Sequence, residues 1–154
     1  MGVYGDFEYS EISNGIKITK YTGNSTIIEI PTIINNKAVV ELEDYLFESR
    51  KTITSIKIPE TITTIGNSTF YECEALTGVI NLPNIETIGE YAFYRCKSLD
   101  TIQLGDKIDT VEYGAFWSAS LGSTFTIPNG IKTIKEKGFR NLRGLQRLII
   151  PESV

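Results

Sequence analysis

The stretch ITSIKIPETITTIGNSTFYECEA (Ile53–Ala75) is followed directly by LTGVINLPNIETIGEYAFYRCKS (Leu76–Ser98), a second copy of one 23-residue pattern. The period runs on in both directions. Phe47, Phe70, Phe93, Phe116 and Phe139 stand 23 residues apart. Five residues before each Phe stands Leu42, Ile65, Ile88, Val111 or Ile134, and eight before stands Val39, Ile62, Ile85, Ile108 or Ile131. Six after stands Ile53, Leu76, Leu99 or Leu145; the fourth copy has Gly122 there, beside Leu121. A fixed period of this length marks a repeat array.

The spacing inside one unit sets its local structure. Tails such as Ile56-Lys57-Ile58-Pro59, Ile102-Gln103-Leu104-Gly105 and Phe125-Thr126-Ile127-Pro128 alternate apolar and polar residues. They predict short strands with one buried face. Proline closes most of them because it brings no N–H to a ladder. The I-x-x-I-G-x-x-A-F-x-x-C stretch spaces its apolar residues by three to five. It predicts a second short extended piece, then a helical turn carrying Ala and Phe inward. One unit cannot bury both apolar sides alone. Stacking in parallel at about 4.8 Å joins the units into one core.

These residues resemble the BspA-like leucine-rich repeat family, whose unit reads roughly L-x-x-I-x-I-P-x-x-[IV]-x-x-I-G-x-x-A-F-x-x-C. The match is close over Ile53–Cys73 and Leu76–Cys96 and covers about residues 26–154. The fourth unit departs at Gly105 and Glu112, and the fifth at Gly138 and Leu142. The first unit has five extra residues between Pro31 and Val39, and Leu46 in the Ala position. The expected fold is an α/β repeat: a right-handed leucine-rich-repeat solenoid of about five units over residues 26–154. It has stacked parallel strands and short helical or irregular returns. The hand follows from the crossover rule for parallel strands. The resemblance implies a bacterial cell-surface or secreted protein, built of several domains, that adheres to host or neighbouring-cell proteins.

Residues 1–25 stand outside the repeat. Phe7–Ile12 and Ile16–Tyr21 alternate on either side of Ser13-Asn14-Gly15, a strong hairpin signal. This segment is expected to cap the first unit. At the other end the chain stops at Val154, just after the strand-like Leu148–Ile150. A bare strand edge and apolar end invite association. The reading here is an array cut from a longer one, or an end that docks onto something, including a second copy.

The net charge of −4 argues against nucleic acid as the main partner. Acidic Glu41, Glu43, Asp44 and Glu48 gather in the first unit, and basic Lys132, Lys135, Lys137, Arg140, Arg143 and Arg147 in the last. Solvated surface explains most of this; the sharper reading is head-to-tail contact between the acidic and basic ends, or an anionic partner at the C-terminal end. No stretch is long and apolar enough to insert in a membrane, and the first residues carry no leader pattern. Cys73 and Cys96 occupy one position in adjacent units. Equivalent side chains in a stack point the same way, so buried free thiols are expected rather than a disulfide.

The 154 residues contain no histidine, which removes the commonest general base and metal ligand. No phosphate loop, dinucleotide fingerprint or C-x-x-C occurs. The carboxylates Glu72, Glu74, Glu86, Glu90, Asp100 and Asp109 are scattered without a pairing signal. The reading is therefore non-catalytic, without cofactor or metal. Two surfaces are candidates. On the strand face, Ser55, Lys57, Thr101, Gln103, Thr124, Thr126 and Arg147 project outward and suit a broad protein contact; the family resemblance implies an extracellular-matrix or plasma protein of the host as that partner. After each Phe, Tyr71, Tyr94, Trp117 and Arg140 form a column that braces the stack or binds glycans. A spacer in a larger surface protein is the remaining alternative.

Overall fold

The computed structural model describes residues 1–154 as one solenoid of stacked short strands with no helix. The N-terminal segment forms β1 (Gly2–Tyr4), β2 (Phe7–Ile12) and β3 (Gly15–Tyr21), an antiparallel meander. The sequence signal covered β2 and β3; β1 adds a third strand outside them. A two-residue turn at Ser13 and Asn14 joins the hairpin, with Ile12 opposite Gly15. β3 then pairs in parallel with β6 (Lys37–Leu42). The extra residues of the first unit make a hairpin of their own. There, β5 (Ile33–Ile34) folds back on β6 through Asn35 and Asn36, at φ 50° and 60°. Two consecutive positive φ values are what the tight turn of such a hairpin requires, and Asn tolerates them.

Each later unit contributes two strands. One row of strands holds β8 (Thr64–Ile65), β10 (Thr87–Ile88), β12 (Thr110–Val111) and β14 (Thr133–Ile134); β8 continues directly from β6 and pairs with β10, while β12 and β14 pair with each other as a separate sheet. The other holds β4 (Ile27–Glu29), β7 (Ser55–Lys57), β9 (Val79–Leu82), β11 (Thr101–Leu104), β13 (Thr124–Thr126) and β15 (Arg147–Ile149). These pair two by two, β4 with β7, β9 with β11 and β13 with β15. The breaks have a sequence cause. Leu76 and Leu121 lie four residues before the buried Ile80 and Phe125, whereas Ile53, Leu99 and Leu145 lie three before Ile56, Ile102 and Leu148. The extra residue comes with Gly78 and Gly122, at φ 85° and 82°, and interrupts the ladder.

The expected helical turn around each Phe is corrected by the structure: this segment is a run of turns. The residues two before and two after Phe70 and Phe93, namely Ser68, Glu72, Tyr91 and Arg95, hold φ between 52° and 56°. An α-helix needs the right-handed region throughout. The left-handed residues turn peptide groups along the solenoid axis instead. Ser68, Phe70 and Glu72 donate to Glu90, Ala92 and Tyr94 of the next unit, each at 2.8 Å. The same bonds recur from Tyr91, Phe93 and Arg95, at 2.8–3.1 Å. In the last unit the corresponding N–H groups of Lys137, Phe139 and Asn141 have no acceptor.

Those bonds set the core. The rings of Phe47, Phe70, Phe93, Phe116 and Phe139 stack at 5.1–5.7 Å, and Tyr21 and Phe7 of the cap continue the column. Thr69 replaces Ala in the second unit and stays buried because its hydroxyl donates to the Gly66 carbonyl at 2.8 Å, with the Glu43 carbonyl 3.1 Å away as the alternative acceptor. In the last unit Ile134, Phe139, Leu142, Leu145 and Leu148 are only partly buried. We predict that Phe93→Ala costs about 3–5 kcal/mol and Phe139→Ala clearly less. Urea unfolding of both variants followed by circular dichroism measures the difference.

Candidate interaction surfaces

The outward side chains of the strand ladder form an open face. Ser55, Lys57, Gln103, Thr124, Thr126 and Arg147 are exposed, and Thr101 is half-buried. No other segment of the chain pairs with this face beyond the ladder itself. Alternation puts Ile56, Ile102, Phe125 and Leu148 inward from the same strands. Ile27, Val79 and Ile149 add exposed apolar side chains to the outward set. Lys57 pairs with Glu29 across one rung at 2.5 Å, with both side chains open to solvent. The face is small-residued and mostly neutral. It offers area and hydrogen-bonding groups rather than a deep cavity.

The aromatic column is wider than the sequence showed. Tyr71 and Tyr94 stack at 4.7 Å, and Trp117 meets Tyr94 edge-on at 5.2 Å. Tyr91 and Tyr113 join them, with Tyr91 5.9 Å from Tyr94 and 5.2 Å from Tyr113. Those two were missed because they precede the Phe instead of following it. Gly114 is the signal that could have found them. It takes the left-handed position two before Phe116, and a Cβ there would fall 2.8 Å from the Tyr91 ring. The cations of the band are already engaged. Arg140 lies over Trp117 at 5.2 Å, Arg95 over Tyr94 at 5.2 Å, and Lys137 over Tyr113 at 5.0 Å. Lys137 also donates to the Tyr113 hydroxyl, which holds that phenol below its usual range.

The charge clusters are partly spent inside the molecule. Lys17 of the cap bridges Glu41 and Glu43, at 2.8 Å each. The Asp44 carboxylate accepts from the backbone and side-chain amides of Asn67. Asn67 in turn accepts from the Glu90 N–H, so a polar ladder runs across three units. At the basic end Lys135 pairs with Glu112 and Lys137 with Glu136, while Lys132, Arg143 and Arg147 have no ion pair. Glu72 and Glu74 are held by Arg95 and Lys97 of the next unit. No group of three or more His, Cys, Asp or Glu residues converges on one point.

Cys73 and Cys96 are free and buried. Their thiols donate to the Phe47 and Phe70 carbonyls at 3.2 Å. Ala119 fills the same position in the fourth unit, so the site is one of packing.

The fold and its repeat define a leucine-rich-repeat solenoid. The profile of the BspA type Leucine rich repeat region matches residues 40–154 in 6 copies. The chain belongs to this family. A leucine-rich repeat protein from Bacteroides ovatus has a similar structure, at TM-score 0.87 and 24% identity; the match covers 99% of this chain and 42% of that one. The T. pallidum leucine-rich repeat protein gives TM-score 0.85 at 25% identity, covering 94% of this chain and 68% of that one. A leucine-rich cell surface protein from Faecalibacterium prausnitzii gives 0.52 at 22%, covering 97% and 54%. The chain thus spans less than half the length of the Bacteroides protein. No curated protein matches the sequence.

Burial pushes the Cys73 thiol up to about 12 and raises Cys96 as well. The folded thiols therefore hold their protons where unfolded ones, near 9, lose them. This contribution to stability is complete below pH 9 and is lost as pH rises toward about 12. Urea unfolding across that window should show a steeper loss in the native chain than in a Cys73→Ala/Cys96→Ala variant. Thiol reagents at pH 8 should label neither residue until the chain unfolds.

Proposed function

We propose that the solenoid is a non-catalytic protein-binding module of a cell-surface or secreted bacterial protein, and that it binds through the open strand face. One observation carries this reading: the outward positions of six strands, paired two by two, lie mostly exposed on one face that no other part of the chain pairs with. Stacked repeats offer extended surfaces of this kind to protein partners. Family membership supports a repeat scaffold in that role. The cell-surface description of the Faecalibacterium protein supports the location. The partner class is an extracellular-matrix or plasma protein.

The aromatic band supports a second reading, as a glycan platform, because five rings lie together on one side of the solenoid. Against it, the rings stack mainly on each other and the band's cations already cover ring faces. Bracing of the turn run accounts for that arrangement.

The test is binding to a panel of immobilised matrix and plasma proteins at physiological salt. The native chain is compared with a variant combining Lys57→Glu, Gln103→Arg and Arg147→Glu. Saturable binding that weakens at least tenfold in the variant, about 1.4 kcal/mol, is the expected outcome. Binding that survives this variant but is lost in Tyr94→Ala/Trp117→Ala moves the site to the aromatic band. Silence across the whole panel favours a spacer.

A further inference from the structure

The two ladders begin at different heights. The cap continues the β6 ladder by three strands, β3, β2 and β1. The open-face ladder begins at β4, which pairs only with β7. A step therefore separates the cap from β4, and a groove of about 410 Å³ lies at its foot. Its inner wall is apolar: Phe7, Tyr21, Ile28 and Ile30 line it and are buried in the core. Tyr4 and Ile27 stand at its rim, 51% and 67% exposed. Asp6 lies on the cap side, and its carboxylate has no ion-pair partner.

The backbone of β4 adds a second observation. Ser55 N–H donates to Thr26 and Ile30 N–H donates to Lys57. A parallel ladder alternates, so Thr26, Ile28 and Ile30 face β7, while Ile27 and Glu29 face the groove. The N–H and C=O of Ile27 are both engaged by the Ser25 hydroxyl. Those of Glu29 have no partner, since β7 lies on the other edge. One end of the strand edge is closed by a side chain and the other is left open beside an apolar groove.

We propose that this groove binds an extended segment of a partner protein, added as a strand to the free edge of β4. The Glu29 backbone supplies the pairing. An apolar side chain of the segment fits against Phe7, Tyr21 and Ile28, and a basic one lies beside Asp6. Strand addition of this type takes its affinity from main-chain bonds and its selectivity from alternate side chains. The free carboxylate selects a cation, and the step leaves room for a single strand. A whole second solenoid end would meet the cap, which rises about 14 Å above β6 at three strand spacings. The site shares Ile27 and Glu29 with the first strand of the open face, and its pairing groups are backbone rather than outward side chains.

The probe is an end-capped hexapeptide of alternating lysine and valine, titrated into the ¹⁵N-labelled full chain and followed by NMR. Saturable shifts confined to residues 4–7, 21 and 25–32 are expected. The Glu29 amide should exchange about fivefold more slowly in the complex, the factor given by one net hydrogen bond. N-methylation of alternate peptide bonds should weaken binding about tenfold or more. Asp6→Asn should weaken it up to about fivefold, the range of an exposed ion pair, and should remove the preference for lysine over a glutamate–valine peptide. A Gln103→Arg/Arg147→Glu variant should bind the peptide unchanged, which keeps this site apart from the open face. The proposal is overturned by no saturable shift, by equal binding of the methylated peptide, or by shifts centred on the open face. A self-associated free chain whose Glu29 amide is already protected also overturns it, because the edge would then belong to a second copy.

Discussion

The structure depends on one hydrogen-bonded contact repeated between units: a row of peptide groups around each Phe that donates to the row of the next unit. These bonds, at 2.7–3.1 Å, fix the spacing at which the Phe rings stack. They require residues on both sides of the Phe to hold left-handed φ, a strain of order 1 kcal/mol or more for a non-glycine residue. The bonds and the buried ring offset that strain. The arrangement also explains why a single unit has no stable form. Its donors and its apolar sides are both satisfied only by neighbours.

The same constraint shapes the surfaces. Because the turn run uses its backbone along the axis, its side chains other than the inward Ala and Phe fan outward, and aromatic ones on both sides of the Phe become the band. The strands on the opposite ladder are short and interrupted at Gly78 and Gly122. The open face is consequently a set of paired strands and not one unbroken sheet. The cap closes one ladder and leaves the first strand of the other bare, which produces the step beside β4. Surface chemistry in this molecule follows from how each ladder is ended.

Much of this was legible in the residues. The 23-residue period, the inward Ile and Phe positions and the buried thiols follow from spacing alone. The turn run did not, because apolar spacings of three to five suit a helical turn as well as a chain of turns. The φ values that decide between them are carried by weaker signals, such as Gly114, Asn141 and the serines at 49, 68 and 118. Gly78 and Gly122 look like ordinary loop residues until the inward positions on both sides are aligned. Tyr91 and Tyr113 escaped notice because a one-dimensional column cannot show which rings meet across a rung. The outward polarity of the strand face was visible, whereas the free edge of β4 depends on how the cap stacks.

Native-state amide hydrogen exchange tests the central contact most directly. The N–H groups of Phe70, Phe93 and Phe116, each bonded to the following unit, should exchange as slowly as the most protected strand amides. Those of Lys137, Phe139 and Asn141, which have no acceptor, should exchange faster by orders of magnitude, although they occupy equivalent positions. Equal protection at Phe93 and Phe139, or fast exchange at Phe93, would contradict the account.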